Sequence, residues 1–483
     1  MHLPSHSTKP DPAAGQPLAP PPTAPSSAFV FAAAAGAIAL GYALQVSFGT
    51  YHPAALAWLS VTLVCCIAAV LIGAMPLLRG RSAVAMLIGL GLVLQLAQLF
   101  AKPPGVYLSP RSEAHLTPFL IGVTLLAVLV AAGLSTKPWA GRAHVPLMLV
   151  AFFFCGGWII RASPNVFIDT YTVHQDSAAA LRAGVNPYTI TFPDIYRGES
   201  PFFRPGVSVG GRLQFGYPYL PTTLLLAMPG HLLTGEHRFS QLACITAAAG
   251  LMAYARPNAL GPLAAGMFLL TPRAFQVVED AWTEPFLAFL LAAVVFTALR
   301  ARRALPYVLG VFLASKQYAI FFAPLALLLV PRPWNLATIW PIAWRAAVSA
   351  LVVNVPFVLW DVDAFLHSTV KYQLTAPFRP DSLSFLAMWA RRSGTIPPTA
   401  VAFVAMAIAT ALVLWRAPRS PAGFALGVGF TCAAFFAFGK QAFLNNYYLV
   451  VAALWCAVAV ADSGDGCKPR DEDAVTSPGL QPS

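Results

Sequence analysis

Acidic side chains are scarce in this chain, with 18 Asp and Glu among 483 residues and none between Asp11 and Glu113. Charged residues of both signs make up only 10%. A carboxylate fixed at the end of an apolar helix therefore needs a reason. The seven cysteines give no disulfide framework: Cys65 and Cys66 are adjacent, no CxxC pair exists, and most of the others sit in apolar runs. They read as small buried hydrophobes. No HxH, HExxH or Cys/His spacing suggests zinc. The formal charge of +12 comes without a basic patch interleaved with aromatics, so it does not describe a nucleic-acid surface. No basic start followed by a short apolar core marks a signal peptide, so the first apolar run reads as a retained helix.

What is abundant is apolar sequence, 58% of the chain, with a mean hydropathy of +0.68. Apolar runs of about 16–26 residues recur almost throughout, and roughly 20 residues of helix cross a hydrocarbon core. They fall near 28–48, 53–78, 82–101, 117–134, 145–160, 239–254, 258–271, 284–299, 341–360, 399–415, 421–438 and 443–461. Residues 305–331 read as two short helices meeting at Ser315-Lys316-Gln317. The expected fold is all-α, a polytopic transmembrane bundle of about 13–14 spans. The Pro-rich stretch 1–27 and the polar stretch 463–483 read as disordered tails.

Charge orients the bundle. Arg79, Arg81, Lys137, Arg142, Arg300, Arg302, Arg303, Arg332, Arg416 and Arg419 sit in short connections. Placing these on the cytoplasmic side puts the long loops outside. The alternation holds only if 217–234 does not span, and its three prolines and His231 suit an interfacial helix instead. Eleven carboxylates, Glu113, Asp169, Asp176, Asp194, Glu199, Glu279, Asp280, Glu284, Asp361, Asp363 and Asp381, then lie in or beside outer loops. Solvation explains carboxylates in loops but not their gathering on one side. An outward-facing site does.

The loop from Arg161 to Gly216 is too long for a plain connector. It opens with Ile168-Asp169-Thr170-Tyr171, and Tyr171, His174, Ala178 and Leu181 then recur at helical spacing up to Gly184. Asn186-Pro187 lies beyond, an ordinary stop signal. Tyr217-Pro-Tyr-Leu-Pro221 begins the interfacial segment. An acidic loop runs from Glu279 to Pro285, a GVFLASKQ segment from Gly310 to Gln317, and NVPF from Asn354 to Phe357.

In that order these motifs resemble the C-type (GT-C) integral membrane glycosyltransferases, whose donors are lipid-phosphate-linked sugars. The D-x-Y…G-x-N-P-Y combination, Asp169 to Tyr188, is most similar to polyprenol-phosphate-mannose-dependent α-mannosyltransferases. The resemblance covers residues 145–461 and leaves the helices of 28–134 as an N-terminal addition outside the family pattern. It implies a polyprenyl-phosphate sugar donor, a glycolipid or glycan acceptor, and transfer at the outer face of the lipid bilayer. No cofactor is expected: Glu279, Asp280 and Glu284 could gather with Asp169 around a divalent cation, but sugar contact is favoured over metal.

Such transfer needs a base for the acceptor hydroxyl and positive charge for the departing phosphate. The resemblance gives Asp169 the base role. Lys316 interrupts a mostly apolar run, where an ammonium is costly unless paired, and an anionic lipid phosphate would pair it. Snorkelling, or a neighbouring carboxylate, is the alternative. Gln317 stands ready to donate to the same oxygens, with Lys371, Arg379 and Lys440 as weaker cations. His174, Asp176, Glu279, Asp280 and Glu284 are candidates for acceptor and sugar contact, or else ordinary interfacial polar residues. Trp282, Trp360, Tyr372, Tyr447 and Tyr448 are candidate stacking rings, or members of aromatic belts. The rival classes are a transporter or lipid flippase, which favours repeated halves and buried midplane polar groups, and a non-catalytic scaffold. No repeat is evident.

Overall fold

The computed structural model describes residues 26–72, 81–102, 105–134, 143–198, 202–203 and 205–461. Arg79, Lys137, Arg142, Glu199 and nearly all of both tails lie outside the described residues. Six helices precede the long loop: α1 (Ser27–Ser47), α2 (Pro53–Ile72), α3 (Arg81–Ala101), the single turn α4 (Pro110–Glu113), α5 (Thr117–Ala132) and α6 (His144–Ala162). α7 (Asp169–Arg182) opens the loop and α8 (Pro221–Thr234) closes it. Next come α9 (Arg238–Ala255), α10 (Leu260–Leu269), α11 (Ala274–Glu279), α12 (Glu284–Arg300) and α13 (Leu305–Leu313). A 3-10 segment, Gln317–Leu328, leads into α14 (Leu336–Trp360). Short α15 (Val362–Leu366), α16 (Tyr372–Thr375) and α17 (Phe385–Ser393) cross the end of the bundle. α18 (Ala400–Arg416), α19 (Pro421–Ala437) and α20 (Leu444–Ala459) complete it.

The fold is mostly helical, and five helices are long and apolar enough to cross a membrane: α1, α2, Ser82–Ala101 of α3, α6 and α14. Shorter apolar helices fill in between them, including α5, α10, α18, α19 and α20. The 3-10 segment has only 12 residues. At about 2.0 Å rise per residue it reaches roughly 24 Å, the depth of a longer α-helix. α8 has 14 residues with Pro229 inside. At 1.5 Å per residue it covers only about 21 Å, short of a hydrocarbon core of roughly 30 Å.

One hydrophobic core runs from Phe29 to Ala461, and α20 at its centre is almost wholly enclosed. The 28–134 helices are built into this core, α1 packing against α2, α3 and α20. A second, smaller core belongs to the long loop and is made of Val173, Ala178, Tyr188, Phe192, Phe215, Tyr217 and their neighbours. Three two-residue antiparallel strands, Phe192–Pro193, Ser208–Val209 and Arg212–Leu213, pin that loop in the order first, third, second. The polar loop is thus a folded cap.

Following the helices up and down, all carboxylates among the described residues fall at the end of the bundle that carries this cap. The N-terminal helices reach that end too. Thr50 bridges to Ser382, and Tyr51 N donates to Asp381 O at 2.8 Å. Gly49 makes the turn possible: its φ is +74°, and a Cβ there would collide with the Leu444 backbone. Gly49→Ala is expected to cost about 2 kcal/mol or more, combining left-handed strain with overpacking. A melting curve in detergent that matches wild type would refute that account.

Candidate functional site

Asp169 occupies the first turn of α7, just after the extended Ile168, where a helix N-terminus favours negative charge. Its carboxylate accepts from Thr170 N at 2.9 Å. Burial nonetheless raises its pKa above the ordinary Asp value, against the Thr170 amide and the Arg379 guanidinium, which both lower it. Tyr107, Tyr196, Tyr219 and Tyr372 all lie within electrostatic reach of this carboxylate. Together they ring a partly buried acid with phenols.

Three of the four have their own supports. Tyr107 comes from the N-terminal helices, and its hydroxyl donates to Phe167 O at 2.8 Å. Tyr196 Oη accepts from Asp169 N at 3.4 Å. Asp194 fixes that tyrosine by accepting from Tyr196 N (3.0 Å), Gly198 N (2.7 Å) and Ser208 Oγ (2.5 Å). Tyr219 stacks on His174 and faces Lys316 Nζ at 5.1 Å from the ring centroid.

Arg379 is the cation acting on Asp169. It grips Asp381 through two bonds, Nε–Oδ1 2.8 Å and Nη2–Oδ2 2.6 Å, and lies between the rings of Phe202 and Phe443. Arg379 N donates to Lys440 O at 2.9 Å, which holds Lys440 beside it. Lys440 Nζ donates to three carbonyls, of Gln373, Leu374 and Ala376. Arg379 is thus shared between Asp381 and Asp169, while Lys440 bonds only carbonyls and keeps an unneutralised charge beside them.

Lys316 and Gln317 behave differently from the sequence expectation. Lys316 Nζ sits 2.5 Å from Glu284 Oε1 and 2.7 Å from Thr283 Oγ1. The pair is buried, so an incoming phosphate would have to displace Glu284. The Gln317 amide donates to Pro218 O (2.8 Å) and Thr369 O (3.1 Å), which ties the cap to the α15–α16 turn. Glu284 is accordingly a counter-ion rather than a sugar ligand.

The other candidates divide similarly. Glu279 is fully buried and accepts from Val106 N (2.6 Å), Tyr107 N (2.9 Å) and Ser163 Oγ (2.5 Å). It anchors the Tyr107 strap and is closed to a sugar. Asp280 is also buried, its Oδ2 accepting from Gln276 at 3.2 Å. His174 is enclosed between Thr170 O (2.9 Å) and the Tyr217 hydroxyl (3.1 Å), and burial pushes its pKa down to about 4. It therefore packs neutral and orients Tyr217. Asp176 is exposed, two turns from Asp169 on α7. Tyr447 and Tyr448 are fully buried and cannot stack on a ligand, whereas Trp360 is exposed and Tyr372 half-buried. Among the described residues no three His, Cys, Asp or Glu gather to hold a metal.

Sequence reasoning missed Tyr107, Tyr196 and Arg238. Arg238 is buried, donating to Ile160 O (3.3 Å), Ser163 O (3.1 Å) and Glu236 (2.8 Å) and so closing the end of α6 just before the Asp169 lead-in. Its position at the start of an apolar run was the only available signal. The chain matches no family model, no characterised protein and no solved structure.

Proposed function

We propose that this membrane protein is a glycosyltransferase that moves a hexose, mannose by resemblance, from a polyprenyl-phosphate donor to a glycolipid or glycan acceptor. The observation that supports it most is Asp169 itself, a partly buried carboxylate with a raised pKa, ringed by four tyrosines at the end of an apolar bundle. Aromatic faces suit the C–H faces of a sugar, and phenol hydroxyls suit its oxygens. In the reaction the acceptor hydroxyl gives its proton to Asp169 as its oxygen bonds to the anomeric carbon. The bond from that carbon to the phosphate oxygen breaks, and its electron pair leaves with the lipid phosphate. The sugar passes through an oxocarbenium-like state that the nearby carboxylate stabilises. Lys440 is the better partner for the phosphate, because its ammonium bonds only carbonyls, whereas Lys316 is neutralised by Glu284 and Arg379, beside Lys440, is shared with Asp381.

The base must be ionised, so activity falls as pH drops through the raised Asp169 pKa, above the usual Asp range. Arg379→Met removes a charge that lowers this pKa. Its acidic limb should therefore move to higher pH, with slower loss of the phosphate. An unmoved limb in a pH–rate profile would detach Arg379 from Asp169.

The proposed orientation places the capped end outside the cell. Asp363→Cys, exposed at that end, should react with a membrane-impermeant thiol reagent in intact cells, and Arg302→Cys, exposed at the other end, should not. Labelling at 302 would reverse the orientation. Lipid translocation by the purified protein, with no sugar transferred, would favour a flippase.

A further inference from the structure

Seven buried polar atoms lacking a hydrogen-bond partner gather where α1 and α3 meet the segment 271–280. They are Gln45 Oε1 on α1, Gln95 Oε1 and Nε2 on α3, Arg273 Nε and Nη2, Gln276 Oε1 and Asp280 Oδ1. All five residues are at most 5% exposed. They form one seam. A side chain at Gly41 of α1 would lie 3.5 Å from Pro272 and 3.9 Å from both Gln95 Nε2 and Thr271. One turn along α1, Gln45 Nε2 donates to Gln98 O of α3 at 3.0 Å. Arg273 lies within electrostatic reach of Asp280, whose other oxygen accepts from Gln276.

Over the seam sits Phe48. Its ring covers the Arg273 guanidinium with 3.8 Å between Cζ and the centroid, while 42% of the residue faces solvent. Phe48 holds a left-handed backbone, φ +54°, which a bulky residue adopts only when its surroundings enforce it. The ring thus divides Arg273 from open water.

The unsatisfied atoms identify what fills the seam. An anion would suit the three donor atoms and meet four acceptor oxygens. A cation would meet Arg273, and a lipid tail would satisfy nothing. Only a molecule that both donates and accepts matches the set, and a buried guanidinium left dry would be strongly destabilising. We propose that the seam is a hydrated pocket, in which ordered waters bridge Arg273 to Asp280 and the three glutamines beneath a Phe48 lid. At about three bonds per water, satisfying all seven atoms takes about three waters. The pocket joins the N-terminal helices to the acidic loop, and it is independent of the glycosyl-transfer reading.

The test uses full-length protein with its native cysteines replaced by alanine, in chloride-free buffer. Gln95→Cys and Gln276→Cys are each exposed to silver ion, a probe that reaches thiols through water, and blocking is read by maleimide mass labelling after denaturation. Ile88→Cys, fully buried two turns deeper on α3, is the control. Silver should block positions 95 and 276 but leave 88 free, and adding Phe48→Ala should speed blocking at 95 by about tenfold or more. If one cysteine variant fails to fold, the other carries the test. Positions 95 and 276 as unreactive as 88, or a rate unchanged by Phe48→Ala, would overturn the proposal. A wild-type melting temperature that tracks chloride at constant ionic strength would overturn it in favour of an anion.

Discussion

Asp169→Asn should lower transfer by about 100-fold or more while the melting temperature holds or rises. The amide keeps the shape of the side chain but neither accepts a proton nor stabilises positive charge on the sugar. The stability half follows from the sign of the pKa shift. Burial raises the folded-state pKa of Asp169 above its unfolded value. The folded chain therefore binds the proton more tightly, and stability falls as pH climbs from the unfolded value through the folded one. At neutral pH the ionised carboxylate works against folding, and asparagine removes that charge. A residue kept at a cost to stability and essential for turnover is what a base requires. Near wild-type turnover in a reconstituted assay would remove Asp169 from the role. A large drop in melting temperature would instead mark it as part of the packing.

Local features of the fold were readable because they depend on neighbours in sequence. The apolar runs marked the helices. Asp169 and Gly184 bracketed α7, which spans Asp169–Arg182 with Gly184 at φ +75° beyond it. The polar triplet 315–317 marked the break between α13 and the 3-10 segment. Partners distant in sequence were not readable. Glu279 is bound by backbone amides 172 and 173 positions away, and Arg379 reaches Asp169 from a loop more than 200 residues on. Composition says that a carboxylate is present, while only the meeting of loops decides whether it faces a cavity, a cation or a pair of amides. Hence three acids of one short loop, Glu279, Asp280 and Glu284, looked alike in sequence. In the fold one is an anchor, one lines a buried seam and one is a counter-ion. The N-terminal helices stood outside the family pattern, yet they supply Tyr107 beside Asp169, and Phe48 and Gln95 to the seam.

The Lys316–Glu284 pair gives the largest expected effect on stability. Its side chains are 9% and 0% exposed, so each charge has little water to turn to if the other is removed. Lys316→Met leaves Glu284 buried beside Thr283 and Tyr318 with no cation, and Glu284→Leu leaves the ammonium under Tyr219 with no anion. Each single change should cost about 3–5 kcal/mol, seen as a fall on the order of 10 °C in melting temperature. The double variant Lys316→Met/Glu284→Leu should recover most of that loss, because it removes both desolvated charges and fills the space with apolar atoms. A lysine holding the donor phosphate predicts the reverse pattern. The single Lys316 variant would then keep its stability and lose donor use, and the double variant would recover nothing. Melting curves of the two single variants and the double, set beside donor dependence, separate the two roles. A non-additive rescue of stability would show that Lys316 serves as the structural counter-ion of Glu284, which leaves the proposed donor phosphate to Lys440 and Arg379.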